Sequence, residues 1–268
     1  MRGMTTTKLV LSDRGEGDPV VLLHSGGMSS RQWRLLGDVL SARCRVLAPD
    51  LIGCGANPPF VDDPAFHLQS DVDAIMASLP ETGPLHIVGH SYGALLALNI
   101  ALQKPERVRS LALYEPPALG LLHAPPDEEA LAELGALEEG AIFASEALGG
   151  SEGWMHVFVD WWNGPGAWER MPEPSRAAFV KVGRKVYREV RSITADRTSS
   201  QDYAAVEVPT LLMAGGRSPG PERRVMARLA KALPQAKVVT FEHAGHLGPI
   251  THAADVNDAI AHHVAFVR

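Results

Sequence analysis

The sequence is poor in cysteine and has neither a basic cluster nor a long hydrophobic run. Cys44 and Cys54 are the only cysteines among 268 residues, too few for the disulfide framework of a small secreted protein. Their ten-residue separation also matches no zinc-binding spacing. We therefore expect two thiols and no metal site.

The charge balance bears on the kinds of partner. The chain has 25 Lys and Arg against 31 Asp and Glu, a net charge of −6, which disfavours nucleic acid. Residues 1–10 have no apolar stretch of signal-peptide length, and no run of about 18 apolar residues follows. We expect a cytoplasmic protein without nucleic-acid or membrane partners; the sequence leaves its oligomeric state open.

What is present fits one folded unit with a substantial core. Hydrophobic residues make up 46% of the chain and charged residues 21%, close to the averages of about 45–50% and about 25% for globular proteins. The length exceeds the usual ~100–200 residues of a domain, yet α/β folds of this length often form one unit. Disorder is therefore not expected.

Short apolar, β-branched runs alternate with helical stretches along most of the chain. This alternation predicts a doubly wound, mostly parallel sheet. The first two strands flank a turn-rich segment and are expected to pair as an antiparallel hairpin. The predicted strands are 9–12, 19–24, 45–49, 85–88, 109–114, 210–214 and 237–241, and the predicted helices are 31–42, 68–79, 94–103, 222–233 and 253–267.

The pattern changes between residues 118 and 200. Gly and Pro interrupt short helical pieces there, and four of the five tryptophans lie in this stretch. We interpret residues 1–117 and 201–268 as an α/β core and residues 118–200 as an inserted helical cap. Such a cap would cover the carboxyl ends of the strands, where these sheets bind ligands.

The strongest motif places a serine between a predicted strand and a predicted helix. Gly89-His90-Ser91-Tyr92-Gly93 has the G-x-S-x-G pattern. A serine on so sharp a turn needs small neighbours, because the backbone is strained and the hydroxyl must project from the sheet. The free amides of the following helix, including that of Tyr92, would stabilise negative charge on a substrate carbonyl oxygen. We predict that Ser91 is a nucleophile.

With this motif the chain resembles the α/β-hydrolase family over most of its length outside the cap. The resemblance implies that Gly26, in His24-Ser25-Gly26-Gly27, completes the oxyanion hole with Tyr92; Ser25 stands where the family usually has glycine. It also implies that His246, in the Gly245-His246 segment after the last strand, is the general base. A histidine with an ordinary pKa near 6.5 exchanges protons readily at neutral pH. His243 is the alternative base.

The acid departs from the usual pattern. Many relatives carry an Asp a few residues after the strand at 210–214, but residues 215–219 here read Gly-Gly-Arg-Ser-Pro. Glu115, 24 residues after Ser91, ends the preceding strand. Zearalenone-degrading lactonases and one group of haloalkane dehalogenases are similar in this respect, so the resemblance implies a Ser91-His246-Glu115 triad. Adjacent parallel strands end side by side, about 4.8 Å apart. Glu222 is the fallback acid.

These residues predict the chemistry but not the substrate. A serine nucleophile forms an acyl-enzyme from an ester or lactone, whereas halide and epoxide chemistry in this fold uses Asp. The expected substrate is a small apolar ester or lactone with a moderately bulky acyl or alcohol part, which would contact Trp154, Trp161 and Trp162. No cofactor and no metal are expected. A C–C bond hydrolase, lyase or cyclase, and a non-catalytic small-molecule binding protein, remain open alternatives.

Overall fold

The structure, a computed structural model, describes residues 7–267. Residues 1–6 and residue 268 of the predicted core lie outside this part of the chain. Most of residues 1–10, where no signal peptide was expected, therefore also lies outside it. Within residues 7–267, no helix is both long enough and apolar enough to cross a membrane.

One sheet organises the described residues. Its seven strands follow the order β1-β3-β2-β4-β5-β6-β7, and every neighbouring pair is parallel except β1 with β3. The strands are β1 Leu11–Arg14, β2 Asp18–Leu23, β3 Cys44–Pro49, β4 Leu85–His90, β5 Val108–Tyr114, β6 Thr210–Gly215 and β7 Ala236–Phe241.

The predicted entry hairpin is wrong in its partner. The first strand is antiparallel, but it pairs with β3, so that Leu11 faces Pro49 and Arg14 faces Val46. Both edges of β2 are taken by parallel neighbours, β3 on one side and β4 on the other. Because β2 is an inner strand of the sheet, no edge is left on which β1 could fold back.

Helices cover both faces of the sheet, which confirms the doubly wound α/β-hydrolase architecture. Val20 and Leu22 pack into the cluster that contains Ile260, whereas Val21 and Leu23 pack into the opposite cluster. Strands buried on both faces read as continuous apolar runs. The helices outside the insertion are α1 Arg34–Leu40, α2 Leu68–Ser78, α3 Tyr92–Gln103, α9 Gly220–Ala232, α10 Gly248–Thr251 and α11 Ala253–Phe266.

Between β5 and β6 the described chain leaves the sheet and forms helices. They are a 3-10 helix at Leu119–Leu122, then α4 Glu128–Glu138, α5 Glu152–Asn163, α6 Ala167–Arg170, α7 Glu173–Ala195 and α8 Ser200–Tyr203. This insertion has a hydrophobic cluster of its own, which includes Trp154, Trp168 and Tyr187. The division of the chain into a core and a cap at residues 118–200 stays a prediction.

Candidate active site

Ser91 lies on a strained turn between β4 and α3. Its φ of 52° and ψ of −120° are uncommon for any residue other than glycine. A Cβ on Gly89 would lie 2.5 Å from Ala94 Cα, and one on Gly93 would lie 2.5 Å from the His24 carbonyl oxygen. Only glycine fits at both positions, because the backbone of α3 crowds Gly89 and the backbone at the end of β2 crowds Gly93. This turn holds the Ser91 hydroxyl at the carboxyl end of the sheet.

The loop after β7 brings His246 to that hydroxyl. His246 Nε2 lies 2.9 Å from Ser91 Oγ, while His243 is exposed on the surface. The Tyr114 hydroxyl donates to the Gly245 carbonyl at 2.8 Å. His90 Nε2 lies 2.8 Å from the His246 carbonyl oxygen. Two residues of the central strands therefore fix the backbone that carries the imidazole.

His90 supports the site as a neutral side chain. Burial lowers its pKa well below the ordinary value, so one ring nitrogen accepts and the other donates. Its Nε2–H donates to His246, and its Nδ1 accepts from the Gln32 amide at 3.0 Å. Gln32 also accepts from the Ser25 backbone N–H at 3.0 Å. Gln32 thus holds the turn where Ser25 replaces glycine, a role for which the sequence offers no signal.

Glu115 occupies the end of β5 and completes the hydrogen-bonded chain. Its Oε2 lies 2.7 Å from His246 Nδ1, and the residue is fully buried with a positive φ of 45°. Its Oε1 accepts from the Gly215 N–H at 2.7 Å and from Ser218 Oγ at 2.6 Å. The segment after β6 therefore supplies donors to the carboxylate. The absence of a carboxylate at residues 215–219 indicated that the acid lies elsewhere. The role of Ser218 as a donor to that acid was not predicted.

Glu222 is buried close enough to Glu115 for the two charges to interact, but no hydrogen bond joins it to His246 within residues 7–267. Neither of its carboxyl oxygens has a hydrogen-bond partner among those residues. Burial, and then the charge of Glu115, raise the Glu222 pKa well above its ordinary value. Its surroundings therefore favour the protonated form of Glu222, whereas Glu115 is the carboxyl group that is hydrogen-bonded to His246.

The two amides expected to form an oxyanion hole lie beside Ser91. Tyr92 opens α3, and the first-turn amides of a helix have no intrahelical acceptor. The Gly26 N–H has no hydrogen-bond partner in the part of the chain described here. Gly26, Tyr92 and Ser91 line the same cavity, so both amides are available to a ligand there.

That cavity has a volume of about 140 Å³ and mainly apolar walls. Trp161 and Trp162 line it, and no lysine or arginine belongs to its lining within the described chain. The acidic side chains in the lining of the described chain are Glu138 and Glu189. The apolar walls include Leu119, Leu134, Phe143, Phe158, Met171 and Phe179.

The three tryptophans expected to bind substrate lie in different surroundings. Trp162 stacks on His246 with ring centroids 3.9 Å apart. Trp161 packs edge-on against Trp162, with ring centroids 4.7 Å apart. The expectation for Trp154 is corrected: it does not line the cavity. It is fully buried and stacks between Phe143 and Phe158, at 4.7 and 5.3 Å. Trp154, in the first turn of α5, is enclosed within the insertion, whereas Trp162, in its last turn, contacts the imidazole.

A buried ion cluster connects the insertion to the residue after Ser91. Lys185 on α7 donates to Asp71 on α2 and to Glu189, both at 2.7 Å. Asp71 also accepts from the Tyr92 hydroxyl at 2.9 Å. Burial lowers the Lys185 pKa, but the two carboxylates outweigh it, so that the net shift is upward. Lys185 therefore stays charged at neutral pH, where its ion pairs contribute to stability.

Replacing Lys185 by methionine is expected to lower the free energy of unfolding by about 3–5 kcal/mol, because it leaves buried carboxylates without their cation. Urea denaturation followed by circular dichroism measures the loss. Lys181→Met, at an exposed position of the same helix, is the matched control and is expected to change stability by less than about 0.5 kcal/mol. Equal effects of the two substitutions would show that the cluster contributes nothing.

Comparison with known proteins agrees with this fold. The model of the Alpha/beta hydrolase family matches residues 20–259, so the chain belongs to that family and the resemblance is confirmed. A pimeloyl-[acyl-carrier protein] methyl ester esterase of Chromobacterium violaceum is 26% identical over 266 residues, 96% of this chain and 98% of that protein.

Two further proteins show how widely the family's activities range. A 2-hydroxy-6-oxo-6-phenylhexa-2,4-dienoate hydrolase of Burkholderia cepacia is 33% identical over 125 residues, which is 44% of this chain and 43% of that protein. The crystal structure of an enol-lactonase from Burkholderia xenovorans LB400 has a TM-score of 0.69 and 20% identity, with 96% of both chains covered. At this identity the likeness shows the fold, and the chemistry is argued from the site.

Proposed function

We propose that this protein is a serine hydrolase that cleaves a neutral carboxylic ester or lactone through an acyl-enzyme on Ser91. The observation that carries the proposal is the unbroken hydrogen-bonded chain from Ser91 through His246 to Glu115, which opens on an apolar cavity. Membership of the α/β-hydrolase family, and its esterase and lactonase members named above, support it.

The mechanism follows from this chain of hydrogen bonds. As Ser91 Oγ attacks the carbonyl carbon, His246 Nε2 takes its proton, and Glu115 stabilises the imidazolium by accepting from Nδ1–H. The amides of Gly26 and Tyr92 donate to the oxyanion. The imidazolium then returns the proton to the leaving alkoxide, and water releases the acid by the same sequence. The face of Trp162 over the ring adds a cation–π interaction with the imidazolium.

The cavity bounds the substrate. Its volume is close to that of an engineered apolar cavity of about 150 Å³ that binds benzene, so it accommodates one small apolar group near the carbonyl. Trp161 and Trp162 supply aromatic walls for that group. Glu138 and Glu189, with no cation in the described lining, repel a substrate carboxylate. The Burkholderia cepacia relative acts on a dienoate, which carries such a carboxylate, so C–C cleavage of a dienoate fits this cavity less well.

A substrate comparison tests the proposal. Purified protein is given p-nitrophenyl butyrate, the p-nitrophenyl monoester of glutaric acid, a neutral δ-lactone and a 2-hydroxy-6-oxo-dienoate. We expect kcat/KM for the neutral ester to exceed that for the carboxylate-bearing ester by at least about tenfold, a difference of 1.4 kcal/mol. Mass spectrometry of the quenched reaction is expected to find the acyl group on Ser91.

Each of the other outcomes overturns the proposal in a distinct way. Faster cleavage of the dienoate than of either ester would identify a C–C bond hydrolase. Conversion of the dienoate or lactone without water uptake would identify a lyase or cyclase. Tight binding of one of these molecules with no turnover of any would identify a binding protein.

A further inference from the structure

The cavity contains a carboxyl oxygen that the proposed mechanism does not use. Glu189, on α7, lines the cavity and is 1% exposed. Its Oε1 accepts from Lys185 at 2.7 Å. Its Oε2 makes no hydrogen bond to any group in residues 7–267. A carboxyl oxygen in a mainly apolar cavity favours a donor that reaches it, and no lysine or arginine of the described chain lines this cavity.

This oxygen lies next to the expected oxyanion hole. A Cβ on Gly26 would stand 2.5 Å from Glu189 Oε2. Because a Cβ is about 2.5 Å from the backbone nitrogen of its own residue, Oε2 lies within about 5 Å of the Gly26 N–H. Gly26 has no positive φ, and the Glu189 carboxyl is the one group that a Cβ there would approach closer than 3.7 Å. The carboxyl of Glu189 occupies the place that a side chain at position 26 would fill.

The charges around Glu189 Oε2 determine which kind of ligand group can bind to it. Lys185, which holds Oε1, is also bound to Asp71, and the ammonium disfavours a second cation beside it. The carboxylates of Glu189 and Asp71 disfavour an anion. A neutral hydrogen-bond donor is the group that satisfies Oε2 without adding charge.

We propose that Glu189 is a specificity residue that accepts a hydrogen bond from a hydroxyl on the α or β carbon of the substrate's acyl group. The proposal rests on the function proposed above and narrows its substrate class to hydroxyacyl esters and lactones. A site built to bind a substrate hydroxyl rejects the analogue without it, because the analogue buries Oε2 unpaired. The charge on the acceptor strengthens the bond.

A pair of esters differing in one hydroxyl tests this. The pair is p-nitrophenyl 3-hydroxybutyrate and p-nitrophenyl butyrate, and the quantity measured is the ratio of their kcat/KM values. We expect the native protein to favour the hydroxy ester by at least about tenfold. In Glu189→Gln, Lys185 has only donors and keeps the amide oxygen, so that the NH₂ group turns towards the cavity. That group can only donate to the substrate hydroxyl, and a neutral hydrogen bond then replaces a charge-assisted one, so the ratio is expected to fall several-fold.

Glu138→Gln is the matched control. It also removes a negative charge from the lining of the cavity, but Glu138 lies on α4, whereas Glu189 is the side chain beside Gly26. The ratio of kcat/KM for the two esters in Glu138→Gln is expected to stay at the native value. A native ratio near one, an unchanged ratio in a folded Glu189→Gln protein, or an equal loss in both variants would overturn the proposal.

The pH dependence of the ratio is a second readout. Burial raises the Glu189 pKa to about 7, with Lys185 opposing and Asp71 adding to the rise. Three further titratable groups interact with the cluster: burial raises the pKa values of Tyr92 and Cys54 far above neutrality, and it lowers the pKa of His24. The native ratio is therefore expected to increase from pH 5.5 to pH 8.5 as the carboxylate forms, whereas the Glu189→Gln ratio stays flat. His246 affects both esters alike and cancels.

Binding to Ser91→Ala protein separates this proposal from the proposed function. Calorimetry with the same two esters measures recognition without turnover. A tenfold preference for the hydroxy ester that Glu189→Gln reduces several-fold supports the recognition role even where the native protein hydrolyses neither ester. Equal binding of the two esters refutes that role whatever the turnover.

Discussion

Replacing Ser91 by alanine is expected to lower kcat on p-nitrophenyl butyrate by about 10⁴- to 10⁶-fold, as in serine hydrolases that lose their nucleophile. The variant has no group that can form the acyl-enzyme, and His246 has no proton to accept. The amides of Gly26 and Tyr92 remain, so a residual rate above that of water is expected. Initial rates from p-nitrophenolate absorbance at neutral pH measure the loss.

The matched control is Ser25→Ala. Ser25 lines the same cavity and is equally buried, but its contact with the site is a backbone N–H that donates to Gln32. Its loss of kcat is expected to stay below tenfold. A Ser91→Ala protein that keeps more than a hundredth of the native rate would refute nucleophilic catalysis by Ser91.

Replacing Glu115 by glutamine is expected to lower kcat by about 10³- to 10⁴-fold while the protein still folds. Gly215 N–H and Ser218 Oγ both donate to Oε1, so they keep the amide oxygen on their side. The glutamine NH₂ group then faces His246 Nδ1 and favours the tautomer with the proton on Nε2. That nitrogen can no longer accept the proton of Ser91, and the imidazolium loses its negative partner.

Glu222→Gln is the matched control for the acid. Because Glu222 makes no hydrogen bond to His246 and burial favours its protonated form, its conversion to glutamine is expected to change kcat less than about threefold. Steady-state kinetics on the same ester compare the two variants. Near-native turnover of Glu115→Gln together with a large loss in Glu222→Gln would move the acid to Glu222.

Stability against pH gives an independent check on the state of Glu222. Its folded pKa is raised above an unfolded value near 4.3, so its protonation favours the folded state. That contribution is fully present below the unfolded pKa and disappears as pH rises through the folded pKa. Glu222→Gln removes this loss and is expected to raise the free energy of unfolding at pH 8 relative to the native protein, with little change at pH 4.

Sequence signals were sufficient for the strands and for the three residues of the candidate triad. The strand-turn-helix around Ser91 is determined by neighbours within three residues, since Gly89 and Gly93 leave room for the turn. The Gly-His segment after the last strand identified His246, and the missing carboxylate after β6 turned attention to Glu115. The structure brings these three residues into one hydrogen-bonded chain. Their catalytic roles remain predictions for the experiments above.

Long-range pairing was beyond the sequence. The entry strand was predicted to pair with β2 because the two are close in sequence. Its partner is β3, which begins 20 or more residues after the end of β2. Trp154 and Trp162 are both tryptophans of α5, and the sequence does not distinguish their roles. Trp154 is enclosed by Phe143 and Phe158, whereas Trp162 covers His246. Helical periodicity gives a face, but it does not say what packs against each turn.

By itself, the sequence determined the fold class and the nucleophile turn, because these depend on local apolar patterns and local backbone geometry. The candidate triad followed from the resemblance to the α/β-hydrolase family. Only the tertiary structure decided which groups surround them. Lys185 and Glu189 are charged residues on a helix, and nothing in their spacing indicates burial. Their positions beside Asp71 and Gly26 arise because the insertion folds back over the sheet and brings together residues more than 100 positions apart.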